Sequence, residues 1–173
     1  MKVSELSIMA GKTRKRRKAQ CAAIAVVDMN GVVGTARFYH TGQNKVRVVY
    51  AFSGLTRGMH GFHIHQYGDL SEGCKNACAH FDPSGSTHGG PRAKRRHAGD
   101  MGNISANSRG EAKGSINLLG ISVLPCSKLS VIGRSIVIHE SRDDLGKGKN
   151  AESLKTGNAG RRLACAVIGL ASP

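Results

Sequence analysis

Apolar residues along this chain recur at alternate positions in short runs, and the runs are separated by Gly, Asn, Asp and charged residues. Residues 21–28 and 32–39 flank Asn30-Gly31, a pair that favours a tight hairpin turn. Residues 46–52 place Val46, Val48 and Tyr50 on one face and Arg47, Val49 and Ala51 on the other. Further strands are predicted over 61–66, 103–106, 111–118, 135–139 and 162–170. Two stretches lose the apolar period, 68–102 and 140–160, both rich in Gly and charge. A structureless segment that long within a compact domain is normally functional. The pattern predicts an all-β fold, an eight-stranded antiparallel sandwich or flattened barrel with two long functional loops.

Composition agrees with this, with 23 Gly, no Trp and 4% aromatic residues among 173. No run of about 18 apolar residues occurs, so neither a membrane span nor a membrane partner is predicted. Residues 1–20 do not read as a secretory signal, because the weak apolar patch Leu6, Ile8, Met9, Ala10 precedes most of the positive charges. Formal charge is +15, from 26 Lys/Arg and 11 Asp/Glu. Seven of those bases and one acid fall in residues 1–20, which read as a basic flexible arm ahead of a domain at 21–173. The domain is basic too, and such a field attracts small anions, nucleic acid and anionic membranes. Within the arm, 12–18 reads equally as a nuclear-localisation or nucleic-acid contact and as a solubilising tail. No aromatics interleave with its bases, which argues against a stacking platform. Five widely spaced Cys are not a secreted disulfide framework and suggest an intracellular protein, though one pair could still be bridged.

The chemistry lies in the histidines. His63 and His65 share one face of a strand, as two ligands of one metal would. Two surface histidines on a strand would show the same spacing, so this pair decides nothing alone. The long loop adds His80, His88, His97 and Asp100, the donor set of a closed tetrahedral zinc site. His139 ends a later strand, just before the second loop. These seven groups serve two four-coordinate metals if one group is shared, and an imidazolate can be shared through its two nitrogens. The count permits that bridge without requiring it. All-nitrogen ligation suits copper, and a His-rich site with one carboxylate suits zinc.

Three segments carry a specific resemblance: Gly61-Phe62-His63-Ile64-His65-Gln66-Tyr67-Gly68-Asp69, the stretch from His88-Gly89-Gly90-Pro91 through His97-Ala98-Gly99-Asp100, and Gly157-Asn158-Ala159-Gly160-Arg161-Arg162-Leu163-Ala164-Cys165. On them the chain resembles the copper/zinc superoxide dismutases of the intracellular type over roughly residues 21–171. The resemblance implies a Greek-key barrel or immunoglobulin-like sandwich and conversion of superoxide to dioxygen and hydrogen peroxide by Cu(II)/Cu(I) cycling, an antioxidant function. It implies His63, His65, His80 and His139 on copper, and His80, His88, His97 and Asp100 on zinc, with one ion of each kind per subunit. His80 is then the bridge and a proton donor, Asp143 the carboxylate that orients His63 and His88, and Arg162 the catalytic arginine that orients the anion. Lys155, Thr156 and Glu152 belong to the substrate channel, and Cys74 and Cys165 to an intrasubunit disulfide. A homodimer through Ile132, Gly133, Val167 and Ile168 and a copper chaperone are implied partners, although Val167 and Ile168 also read as core strand residues, and the resemblance to intracellular enzymes implies a cytoplasmic location.

This chain also departs from the family. Its channel loop has Ala151-Glu152 where two acids commonly adjoin, with Lys149 nearby. Cys78 stands where the family has a small residue; it either competes for the disulfide or is an inert buried thiol. Cys126 lies in a loop longer than in many relatives. His60, beside a turn, reads as a hydrogen-bonded structural histidine. A non-catalytic metal-binding relative is the competing reading. It is disfavoured because the copper ligands and Arg162 are all present. A nucleic-acid-binding protein, suggested by charge alone, lacks any of the usual signatures in the body.

Overall fold

The computed structural model describes residues 21–172, so the basic arm at 1–20, with its 12–18 run, lies outside the described residues. Strands β1 (Cys21–Met29) and β2 (Val32–Gly42) form the hairpin, with Asn30 at φ 52° and Gly31 at φ 80°. Positive φ at both central positions is what a tight hairpin turn matching strand twist requires. There follow β3 (Lys45–Ser53), β4 (Gly58–His65), the short β5 (Ser71–Cys74), β6 (Asp100–Ala106), β7 (Ala112–Leu119), β8 (Ser135–His139), β9 (Arg162–Val167) and β10 (Gly169–Leu170). One helical turn, α1 (Ser153–Thr156), lies in the second loop.

The strands form two antiparallel sheets, in the orders β10-β1-β2-β3-β7 and β6-β4-β8-β9. After β3 the chain leaves for the second sheet and returns only with β7, which makes the connection Greek-key-like. Neither sheet closes, so the fold is a sandwich and not the barrel allowed by the strand pattern. Two seams stay open, one between β9 and β10 and one at the corner between β6 and β7. There Asn107 Oδ1 accepts from the amides of Arg109 (2.9 Å) and Glu111 (3.0 Å), turning the chain so that β7 pairs with β3 and leaves β6 an edge.

The core lies between the sheets. From β3 come Val46, Val48 and Phe52, from β4 Phe62 and Ile64, from β8 Ile136 and Ile138, and from β9 Ala164 and Ala166. Tyr50, Phe52 and Phe62 pack their rings 5.7–5.9 Å apart. Strand alternation then fixes where the chemistry goes. With Phe62 and Ile64 in the core, His63 and His65 must point to the opposite face. That face is buried as well, because loop residues cover it, so β4 is buried from His60 to His65.

On the same outer side Cys74 and Cys165 form a disulfide (Cα–Cα 5.7 Å) that ties the end of β5 to β9. Met29 Sδ lies 3.6 and 3.7 Å from the two sulfurs. The loops expected to be structureless thus contain β5, a 3-10 turn at Lys75–Ala77 and α1. Such short pieces carry no period in the sequence. Ile168, expected at a subunit contact, is fully buried in the core, whereas Val167 is 42% exposed. No helix of the described residues is long and apolar enough to cross a membrane.

Candidate metal centre

Each histidine of the centre has one ring nitrogen engaged, and that engagement decides what the other nitrogen can do. His63 Nε2 donates to Asp143 Oδ2 (2.9 Å), His65 Nδ1 to the Cys78 carbonyl (2.8 Å) and His139 Nδ1 to the Gly160 carbonyl (3.0 Å). Their remaining nitrogens, His63 Nδ1, His65 Nε2 and His139 Nε2, are buried without a hydrogen-bond partner, as is His80 Nε2. Buried polar atoms are ordinarily paired, and here four lone pairs converge within 4.8 Å. A cation-binding pocket with all-imidazole ligation fits them. Burial is the chief cause that holds His63 and His65 well below the ordinary imidazole range, lowers His80 and brings His139 to about 4. The rings are therefore neutral at neutral pH and able to ligate.

A second cluster shares His80. Asp100 Oδ1 lies 2.8 Å from His80 Nδ1, 3.0 Å from His88 Nδ1 and 3.2 Å from His97 Nδ1, with 3.4 Å between the nitrogens of His80 and His97. Ligand atoms around a tetrahedral zinc sit about 3.3 Å apart, given bonds of about 2.0 Å. The His88 contact lacks hydrogen-bond geometry despite its length. The four atoms surround a common point instead of simply pairing. Asp100 Oδ2 faces away, accepting from the amides of Gly89 (3.0 Å) and His97 (2.8 Å).

Asp143 joins the two clusters from behind. Its Oδ2 takes His63 Nε2–H and its Oδ1 takes His88 Nε2–H (2.8 Å), and the carboxylate is fully buried. His63, His88 and Asp143 also converge closely enough to hold an ion. Both contacts are good hydrogen bonds, however, so this trio reads as the support of the other two clusters. Burial would raise both carboxylates, but their histidine partners hold Asp100 and Asp143 far below the usual range. His88, where burial is outweighed by the two carboxylates, stands at about 9. The raised His88 offsets part of these two buried negative charges, and divalent ions would supply the rest.

A cleft of about 1380 Å³ opens over His65, His80 and His139 and is lined also by Arg162, Lys155, Thr156 and Glu152. Arg162 is held by the carbonyls of Cys74 (2.6 Å), Lys75 (2.9 Å) and Cys78. Thr156 Oγ1 donates to Glu152 Oε1 (2.7 Å). Cys78, expected to be inert and buried or to compete for the bridge, is instead exposed and free, because Cys74 takes Cys165. His60 is buried, with Nδ1 2.8 Å from the His139 carbonyl and Nε2 2.9 Å from that of Thr56, a structural tie.

Several supports have no signal in the sequence. Asn103 exchanges two 2.8 Å hydrogen bonds with the backbone of Asp143. Arg96 donates to the carbonyls of His97 (2.7 Å), Ala98 (3.1 Å) and Leu119 (2.5 Å), pinning the histidine loop to the end of β7. Asp144 gathers Ser153 (2.7 Å) and Asn158 (2.6 Å) and so closes the second loop. Such polar side chains are indistinguishable from surface residues until the loops fold.

Residues 32–168 match the family model of copper/zinc superoxide dismutase. The chain is 52% identical over 151 residues to the superoxide dismutase [Cu-Zn] of Paramecium bursaria Chlorella virus 1, covering 87% of this chain and 79% of that one. It is 49% identical over 146 residues to the extracellular superoxide dismutase [Cu-Zn] of Onchocerca volvulus (82% and 72%). With the extracellular enzyme of Brugia pahangi the identity is 45% over 155 residues (87% and 76%). The chain belongs to the copper/zinc superoxide dismutase family. Its histidine clusters and disulfide are consistent with superoxide dismutase catalysis, an oxidoreductase activity. Two of the relatives are named as extracellular, which overturns the expectation of a cytoplasmic location and leaves the subtype at the level of the family. That expectation leaned on an odd cysteine count and on a resemblance to intracellular enzymes, and the named relatives include extracellular ones that also match most of the chain.

Gly157 (φ 69°) backs directly onto this support, and a Cβ there would lie 1.9 Å from Asp143 Oδ1 and 2.5 Å from His88 Nε2. Gly157→Ala is expected to displace the Asp143 carboxylate and weaken zinc binding by roughly 10–100-fold. A chelator-competition titration reads this, with circular dichroism to verify the fold; unchanged affinity would remove Asp143 from its orienting role.

Proposed function

We propose that this protein converts two superoxide anions and two protons to dioxygen and hydrogen peroxide, with copper held by His63, His65, His80 and His139 and zinc by His80, His88, His97 and Asp100, one of each per subunit. The observation that carries this reading is His80, whose Nδ1 faces the carboxylate cluster while its Nε2 faces the all-imidazole one. Donor chemistry assigns the ions: four imidazole nitrogens suit Cu(II), and three with a carboxylate in a closed set suit zinc. Copper, when bound, supplies a centre that accepts one electron and returns it.

The chain's own residues do the rest. Arg162, its guanidinium anchored by three carbonyls, presents a fixed positive charge on the cleft wall and orients the anion. Lys155 adds positive potential, and Thr156, bonded to Glu152, narrows the passage. His80 lines the cleft, and its Nε2 is the atom from which the chain would deliver a proton to the departing peroxide. Ala151 and Lys149 leave the channel loop more positive than a pair of acids would, so superoxide is drawn in strongly but focused loosely.

The protein acts as a homodimer in this reading, with a copper chaperone as a further partner. Support for the dimer comes from one surface. Tyr67 and Val167 are 54% and 42% exposed there, and Gly68 packs so closely on Gly133 and Val167 that a side chain has no room.

His139→Ala is expected to abolish dismutation in the metal-loaded protein while zinc content persists. Full activity in the variant, measured beside metal analysis, would refute the copper assignment. The wild-type rate should fall steeply with added salt, since the screening length is only about 10 Å at 0.1 M; a flat response would remove the steering role of Arg162 and Lys155. Replacing Tyr67 and Val167 together by Asp should shift the sedimenting species from dimer to monomer. A wild-type protein that sediments as a monomer would dispose of the dimer.

A further inference from the structure

Cys78 is a feature of the cleft that dismutation does not use. It is exposed and free, and it lines the same cleft as His65, His80 and His139. Those histidines are 1%, 5% and 3% exposed, and their buried, unpartnered Nε2 atoms converge on one another at the cleft wall. They mark where the small reactant is handled and the product made. The backbone of Cys78 is pinned beside it, its carbonyl accepting from His65 Nδ1 (2.8 Å) and from Arg162. It also holds φ 65°, a conformation uncommon outside Gly.

We propose that Cys78 is an oxidative modification site for the hydrogen peroxide produced in this cleft, which meets the thiol on its way out and converts it to a sulfenic acid. The sulfur forms a bond to one peroxide oxygen as the O–O bond breaks. The other oxygen leaves with the thiol proton as water. Sulfur gives up two electrons and peroxide accepts them. The established activity supplies the oxidant, and the proposal rests on the placement of that activity at His65, His80 and His139.

Cys126 provides the internal reference, being a second free, exposed thiol and absent from the cleft lining. The metal-loaded full chain is held under a steady enzymatic superoxide flux with dimedone, and the adducts at both cysteines are quantified by peptide mass spectrometry. Dismutation is measured in the same samples. Labelling at Cys78 is expected to exceed that at Cys126 by about fivefold or more. The excess should survive added catalase, which destroys peroxide only after it escapes. In His139→Ala protein, or in copper-depleted wild type should the variant fold poorly, the two thiols are expected to label alike. Equal labelling in a sample that dismutates overturns the Cys78 proposal alone, as does an excess erased by catalase. A loaded protein without dismutation overturns both this proposal and the reading beneath it.

Discussion

Two fully buried carboxylates, Asp100 and Asp143, set the terms for the rest of this molecule. An ionised carboxylate out of water costs several kcal/mol unless it is paired and hydrogen-bonded. The fold meets that demand by surrounding the pair with imidazoles and amides, and leaves a deficit of positive charge between them. A protein that had only to be stable would have no reason to place seven polar metal-ligating groups behind its core. The arrangement makes physical sense when cations occupy the two points on which the ring nitrogens converge.

The same constraint explains the tautomers. A histidine that donates from one nitrogen offers the other as a lone pair. Asp143 forces His63 and His88 to present Nδ1, while the carbonyls of Cys78 and Gly160 force His65 and His139 to present Nε2. Orientation is therefore settled before any ion arrives. The carbonyl of Cys78 links this ordering to the substrate side, because it accepts from His65 and Arg162 alike. One backbone atom thereby positions both a ring of the histidine cluster and the guanidinium on the cleft wall.

The sandwich contributes rigidity where the loops cannot. β4 and β8 each place apolar residues in the core and alternate ones behind it, so His63, His65 and His139 stand on elements locked by Phe62, Ile64, Ile136 and Ile138. The remaining ligands come from a long loop that gains its order from outside itself. The disulfide, Arg96 and Asp100 fasten it to the sheets. The second loop folds down through Asp144, Ser153 and Asn158 to form the opposite wall. A site on loops stapled at several points is held firmly yet stays open to a small anion.

Much of this was legible in the order of residues. Period-two alternation is a local property, so the eight long strands, the Asn30-Gly31 turn and the shared face of His63 and His65 could be read from short windows. Ligand chemistry is also local, and His80, His88, His97 and Asp100 declared a metal by type and proximity along the chain. Where a sheet closes, and which side chains reach across loops, are decided by contacts between residues far apart in sequence. The open sandwich in place of a barrel, β5 and α1 within the loops, the Asn103 clamp on Asp143, the burial of Ile168 and the exposure of Cys78 are all of that kind. Hydrogen bonds from a loop carbonyl or a lone Asn leave no periodic trace, because the partner is chosen only when the tertiary fold brings it near. Sequence by itself thus determined the strands and the candidate ligands; only the tertiary structure decided which nitrogen each ring presents and what surrounds it.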